Sequence, residues 1–142
     1  MGRLKLEMPY SFSFSCRIPI RITDLNYGNH VGNDAFVSIL HEARVQYLTA
    51  KNFAELGNDR TGLIMADLQI NFKKESVYGD ILKVEVNAEH VTNTSFDLYY
   101  QLSTTRQEEV VTIAHAKTAM VFFNYTSKKV ARLPDDFKAS LY

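Results

Sequence analysis

One block of helical periodicity stands between segments of period-two alternation, and this arrangement limits the fold more than any other feature of the chain. Phe36, Ile39, Leu40, Ala43 and Tyr47 recur at i, i+3, i+4, i+7 and i+11. They form one apolar stripe on a helix of roughly four turns. Asn33 is placed to cap it, and Asp34 suits the positive end of its dipole. Ahead of the helix, Phe12, Phe14, Cys16, Ile18, Ile20 and Ile22 alternate with mostly polar residues across 11–22, the pattern of a strand with one buried face. Pro19 lacks an N–H, which predicts an edge position or a bulge. Residues 51–62 contain Gly57, Asn58 and Gly62 and read as a loop. Period two then returns in Leu68, Ile70 and Phe72. After a Gly79-Asp80 turn it continues in Leu82, Val84, Val86 and Ala88, and then in Phe96, Leu98, Tyr100 and Leu102. From Val110 to Asn124 the chain is apolar on both faces, which predicts a central strand. Ser127-Lys128-Lys129 reads as a turn, and Pro134-Asp135-Asp136 starts a short C-terminal helix. The expectation is one α+β domain, residues 1–142, with an antiparallel curved sheet packed on one long helix.

Composition excludes several functions. The 16 basic and 16 acidic side chains cancel, so neither nucleic-acid binding nor a polybasic membrane contact is expected. Cys16 is the single cysteine, which rules out an intrachain disulfide and a cysteine metal site. Met1 to Tyr10 lack the apolar core of a secretion signal, and Leu6 stands where a myristoylation signal needs Ser or Thr. No apolar run approaches the ~20 residues of a membrane span. A soluble cytoplasmic protein is expected. No G-x-S-x-G, P-loop or dinucleotide fingerprint is present, and no metal-ligand spacing links His90 and His115.

The segment between first strand and helix is the candidate site. Thr23 to Asn33 carries one imidazole, one carboxylate and three carboxamides, and loops held between rigid elements are where site chemistry concentrates. His30 has the side chain for a general base, an imidazole titrating near working pH, or it closes the loop by hydrogen bonds. Backbone N–H groups around Val31, Gly32 and Asn33 open the helix, where unpaired donors can stabilise an oxyanion unless Asn33 or water satisfies them.

The stretch Asp24-Leu25-Asn26-Tyr27-Gly28-Asn29-His30-Val31-Gly32-Asn33-Asp34-Ala35-Phe36, then Leu40-His41-Glu42-Ala43-Arg44, resembles the hotdog-fold thioesterases of the 4-hydroxybenzoyl-CoA thioesterase type, within the acyl-CoA thioesterase superfamily. The Gly79-Asp80 turn, Thr94-Ser95-Phe96 and Leu133-Pro134 match it further, and the resemblance runs from about Phe12 to Phe137. It implies a hotdog fold, a sheet wrapped around a central helix. It also implies a homodimer or homotetramer whose interface holds an acyl thioester, and hydrolysis of that thioester by water. No metal or redox cofactor is implied; coenzyme A or pantetheine arrives with the substrate, and an acyl carrier protein is the alternative carrier. Carried onto this chain, the catalytic group is His30, Asn26, Asp24 and Gly32, with Tyr27, Val31, Asn33, Glu42, Thr94 and Ser95 around the substrate.

Two departures matter. Many members place a catalytic Asp where this chain has Asn26, and a carboxamide is neither a carboxylate nucleophile nor a base. Asn26 then orients His30 or a water, or only shapes the turn. Thr92-Asn93-Thr94 stands where some members carry basic residues for CoA phosphates. Asp24 is left as substitute base or loop cap, and Glu42 as an acid or as an ion-pair partner across an interface. Lys73 and Lys74 either meet phosphate or are solvated. Tyr99, Tyr100, Phe122 and Phe123 line an acyl pocket or belong to the core. Asn26 also leaves open a hotdog module that binds acyl thioesters without cleaving them.

Overall fold

Alternation in the sequence becomes the two faces of one sheet. The computed structural model describes residues 2–57 and 59–142. In chain order it contains β1 (Phe14–Pro19), a single 3-10 turn at Ile22–Asp24, α1 (Asn33–Ala50), β2 (Thr61–Phe72), β3 (Ile81–Glu89), β4 (Ser95–Arg106), β5 (Glu109–Asn124), β6 (Lys129–Val130) and α2 (Asp135–Ser140). The sheet order is β1-β3-β4-β5-β2, with the short β6 on β5, and the paired strands are all antiparallel. Leu82, Val84 and Val86 of β3, Phe96, Leu98, Tyr100 and Leu102 of β4, and Ala114, Ala116 and Met120 of β5 share one buried face. Against it lies the predicted stripe of α1, extended by Leu48. Each large side chain in that stripe contributes roughly 1.5–3 kcal/mol over an exposed one. This is the α+β arrangement expected, one long helix on one antiparallel sheet.

The boundaries differ from the sequence reading in places that have causes. β1 covers 14–19, not 11–22. Pro19 pairs with Ile81 as the last rung, and without an N–H it cannot extend the ladder. Ile20 stays buried, with its N–H on Asp80 O at 3.0 Å, but Ile22 is 70% exposed in the 3-10 turn. Gly32, not Asn33, is the N-cap of α1; the Asn33 carboxamide instead accepts the Asp34 N–H at 3.0 Å. The predicted turn at 127–129 runs over 125–128, and Lys129 already belongs to β6. The predicted loop ends at Arg60, so Gly62 lies in β2; Asn58 of that loop lies outside the described residues. β5 is an interior strand, but its second face, with His115, Lys117, Ala119, Val121 and Phe123, is only half covered.

The two sheet edges are unlike. β1 is short and carries Pro19 and Arg17, features that block further pairing. β2 is 12 residues long; among the described residues no strand runs along its outer side, where only its start is bridged, Leu56 to Gly62, with the Leu63 N–H on Glu55 O at 2.7 Å. Among the described residues, no helix is long and apolar enough to cross a membrane.

Candidate active site

Asn26 builds the loop that carries His30. Its Oδ1 accepts the N–H groups of Gly28 at 2.9 Å and His30 at 3.3 Å. Its own N–H donates to His30 O at 2.8 Å, and its carbonyl accepts from Asn29 at 3.1 Å. Asn29 takes the left-handed conformation this tight closure requires, φ 63°, which Asn tolerates better than most residues. Asp24 is buried, and its carboxylate accepts the Arg21 N–H at 2.8 Å and the Arg21 guanidinium at 3.4 Å. It caps the start of the 3-10 turn.

A second loop, between β2 and β3, completes the site. Val31 donates its N–H to Ser76 O at 2.8 Å, joining the two loops by backbone alone. The second loop is held by Asp80, a buried carboxylate. Ser76 Oγ donates to it at 2.8 Å, Val77 N–H at 3.0 Å, and Arg106 at 3.2 Å from Nε and 2.6 Å from Nη2. Burial opposes the charge on Asp80. The Arg106 bonds, followed by those of Val77 and Ser76, outweigh burial and hold the carboxyl below its usual range. Arg106 Nη2 also donates to Glu75 O at 2.9 Å. The backbone of residues 75–80 is therefore fixed against both β4 and the His30 loop.

Between the two loops lies a cleft of about 300 Å³, lined by His30, Val31 and Asn33, by Phe36 of α1, and by residues 72–76. Phe36 and Phe72 form its apolar wall, with ring centroids 5.3 Å apart and planes at 63°, a favourable edge-on contact. The Lys73 and Lys74 N–H groups both donate to Ile113 O, at 2.8 and 3.1 Å. Their side-chain ammonium groups pair with no carboxylate among the described residues. His30 Nδ1 lies 3.3 Å from Glu75 Oε2. One space thus collects an imidazole, a carboxylate, two cations and an apolar wall.

The oxyanion donors are fewer than the sequence reading held. The Val31 N–H is taken by Ser76 O, and the Gly32 N–H by Asp24 O at 3.0 Å. Gly32 closes the loop onto itself as the N-cap, so its N–H is not free. The Asn33 N–H, in the first turn of α1, meets no acceptor among the described residues. Helix geometry leaves such first-turn donors without an internal partner.

Several other predicted residues lie elsewhere. Tyr27 is fully exposed and does not line the cleft. Glu42 borders a separate groove with Arg17 and Arg21 and accepts the Gln46 amide at 2.9 Å; no ion pair involves it among the described residues. Thr94 closes the β3–β4 turn and Ser95 opens β4, and Thr92 Oγ1 accepts both their N–H groups, at 3.2 and 3.0 Å. Tyr100 and Phe122 are core, with Tyr100 Oη 2.8 Å from Thr118 Oγ1, while Tyr99 and Phe123 lie on the opposite face of the sheet. Arg44 is buried against Glu55 at 2.6 Å and ties α1 to the loop after it. His90 pairs with Asp97 at 2.9 Å. Burial, then the charge of Lys73, pushes the His115 imidazole pKa down. Among the described residues no cluster of three or more His, Cys, Asp or Glu is arranged to hold a metal. Glu75, Ser76, Asp80 and Arg106 were missed by the sequence reading, and only the Gly79-Asp80 turn pointed at that loop.

The fold recurs in solved thioesterases. A 1,4-dihydroxy-2-naphthoyl-CoA thioesterase from Synechocystis superposes with a TM-score of 0.81 at 20% identity, over 90% of this chain and 94% of that one. A gentisyl-coenzyme A thioesterase gives 0.79 at 18%, over 91% and 100%. An aspartate-to-asparagine mutant of 4-hydroxybenzoyl-CoA thioesterase, complexed with 4-hydroxybenzoyl-CoA, gives 0.84 at 17%, over 93% and 100%. At these identities the likeness is one of fold. No curated protein matches the sequence. The family model described as the thioesterase-like superfamily matches residues 20–141, and the chain belongs to that superfamily.

Proposed function

We propose that the protein hydrolyses an acyl thioester of coenzyme A or of a carrier-protein pantetheine. The observation that carries this reading is the cleft lined together by His30 and by Asn33, whose N–H meets no acceptor among the described residues, beside Lys73 and Lys74. Water attacks the thioester carbonyl carbon, and the carbonyl electron pair moves onto oxygen. The Asn33 N–H, at the positive end of α1, stabilises that oxyanion. His30 takes the proton lost by the water. When the tetrahedral intermediate collapses, the C–S bond breaks and the thiolate takes the proton from His30. Lys73 and Lys74 meet the phosphates of the carrier, and Phe36 and Phe72 meet the acyl group. The three solved thioesterases are named for aroyl-CoA thioesters, which supports an aromatic acyl group as the first to test.

The active form we propose is a dimer through β2. The part of its outer edge from Ile64 onward, with no strand partner among the described residues, and the half-exposed Met65 and Phe72 support it, since an unblocked edge strand invites pairing. Light scattering at micromolar concentration tests this, and a monomer refutes it.

A second reading, an acyl-thioester-binding module without turnover, is favoured by one observation. The Asn26 oxygen is already used by two loop N–H groups. Thiol release from a panel of short, long and aromatic acyl-CoAs separates the two. Turnover on any of them supports hydrolysis. None, with ligand retained in the cleft, supports the module.

A further inference from the structure

We propose that Glu75 is the carboxylate that orients His30, in place of the one the loop lacks at Asn26. The proposal gives a positioning partner to the base of the hydrolase reading and rests on it for its catalytic use. Three observations lead to it. First, Glu75 Oε2 lies 3.3 Å from His30 Nδ1. Second, that nitrogen is buried and has no aligned hydrogen-bond partner, a condition proteins avoid because it is costly. Third, the backbone at Glu75 is fixed by Arg106 on its carbonyl and by Val31 on the carbonyl of Ser76, while the Glu75 side chain is 74% exposed. A small rotation of that free side chain brings Oε2 into line without moving the loop.

The consequence is chemical. A carboxylate at Nδ1 selects the tautomer protonated there, which leaves the Nε2 lone pair as the base. The charged groups that line the cleft with the imidazole are Glu75, Lys73 and Lys74, from the end of β2 onward. Asp24, in the His30 loop, is already paired with Arg21.

The test is Glu75→Gln, with Glu75→Asp beside it. The His30 tautomer is read by NMR of the ring nitrogens in the unliganded protein, and kcat and KM are measured on the best acyl-CoA of the panel. Removing the carboxylate shifts the neutral imidazole from the tautomer protonated at Nδ1 toward the one protonated at Nε2. It lowers kcat by roughly tenfold, far less than the loss of a buried orienting carboxylate, with KM nearly unchanged. Glu75→Asp recovers part of both. A tautomer that stays put in Glu75→Gln overturns the pairing, and a shifted tautomer with full kcat overturns the positioning role. A wild-type protein inactive on every acyl-CoA sinks the hydrolase reading instead; the tautomer measurement needs no turnover and still decides the pairing.

Discussion

Asp80 offers the sharpest test of how the site is held. It accepts from Ser76, Val77 and both Nε and Nη2 of Arg106, and it is 8% exposed. Asp80→Asn keeps the shape but turns one acceptor into a donor that faces Arg106 or Ser76. A net loss of about 1.5–3 kcal/mol per hydrogen bond to a charged group is usual. The Arg106 side chain is about a third exposed, so its share is discounted for solvent screening. The expected cost is about 2–4 kcal/mol, which for a chain of this size lowers Tm by roughly 10 °C. The pH dependence has a definite sign. Asp80 is held below its unfolded value, so its contribution is fully present above about pH 4 and is lost as pH falls through the folded pKa. Thermal melts between pH 7 and pH 3 therefore fall more steeply in wild type than in Asp80→Asn, and the two curves converge at the acid end. Equal melting temperatures at pH 7, or parallel curves, would refute the clamp.

The remaining predictions concern the two loops and the helix. His30→Ala should lower kcat by roughly the 10²–10⁴-fold of a lost general base, with the melt within a few degrees of wild type; a folded variant with unchanged turnover ends the catalytic assignment. Asn26→Asp keeps an acceptor for the Gly28 and His30 N–H groups, so the fold should hold and turnover should stay equal or rise; a fall means that the site depends on the carboxamide. Gly62→Ala would drive its Cβ into the Glu55 carbonyl oxygen, a backbone atom that cannot rotate away. A loss of about 1–3 kcal/mol in chemical denaturation is expected, and an unchanged midpoint counts against it.

The elements were legible where burial is periodic and the residues are near in sequence. Phe36 to Tyr47 gave the helix, and Leu82 to Ala88 gave a strand whose alternation survives intact in the burial of β3. The strand that ends at Pro19 was read too long, because Ile20 and Ile22 keep the alternation after the hydrogen-bond ladder has stopped. At the site, His30 and Asn33 were legible because their loop is continuous in sequence. The β2–β3 loop was not. Lys73-Lys74-Glu75-Ser76 reads locally as a solvated strand end, and only the return of β2 along β5 carries it to His30. Arg106, farther still along the chain, shows nothing in its own neighbourhood that marks it as a clamp.

Backbone bonds explain why the loop keeps its shape without a carboxylate at Asn26. The two contacts that set the site, Val31 N–H to Ser76 O and Gly32 N–H to Asp24 O, use no side chain. Asn26 adds a carboxamide oxygen as acceptor, and Asp would supply an equivalent oxygen, so either residue closes the turn. The scaffold therefore places little restriction on the charge at that position. It does restrict where a replacement carboxylate can stand, because the segment that lines the cleft with His30 carries Lys73 to Ser76, and its backbone is held by Arg106 and Val31. Of those four residues Glu75 alone is acidic. Among the described residues that line this cleft, a reaction that needs a carboxylate beside the imidazole has Glu75 to draw on.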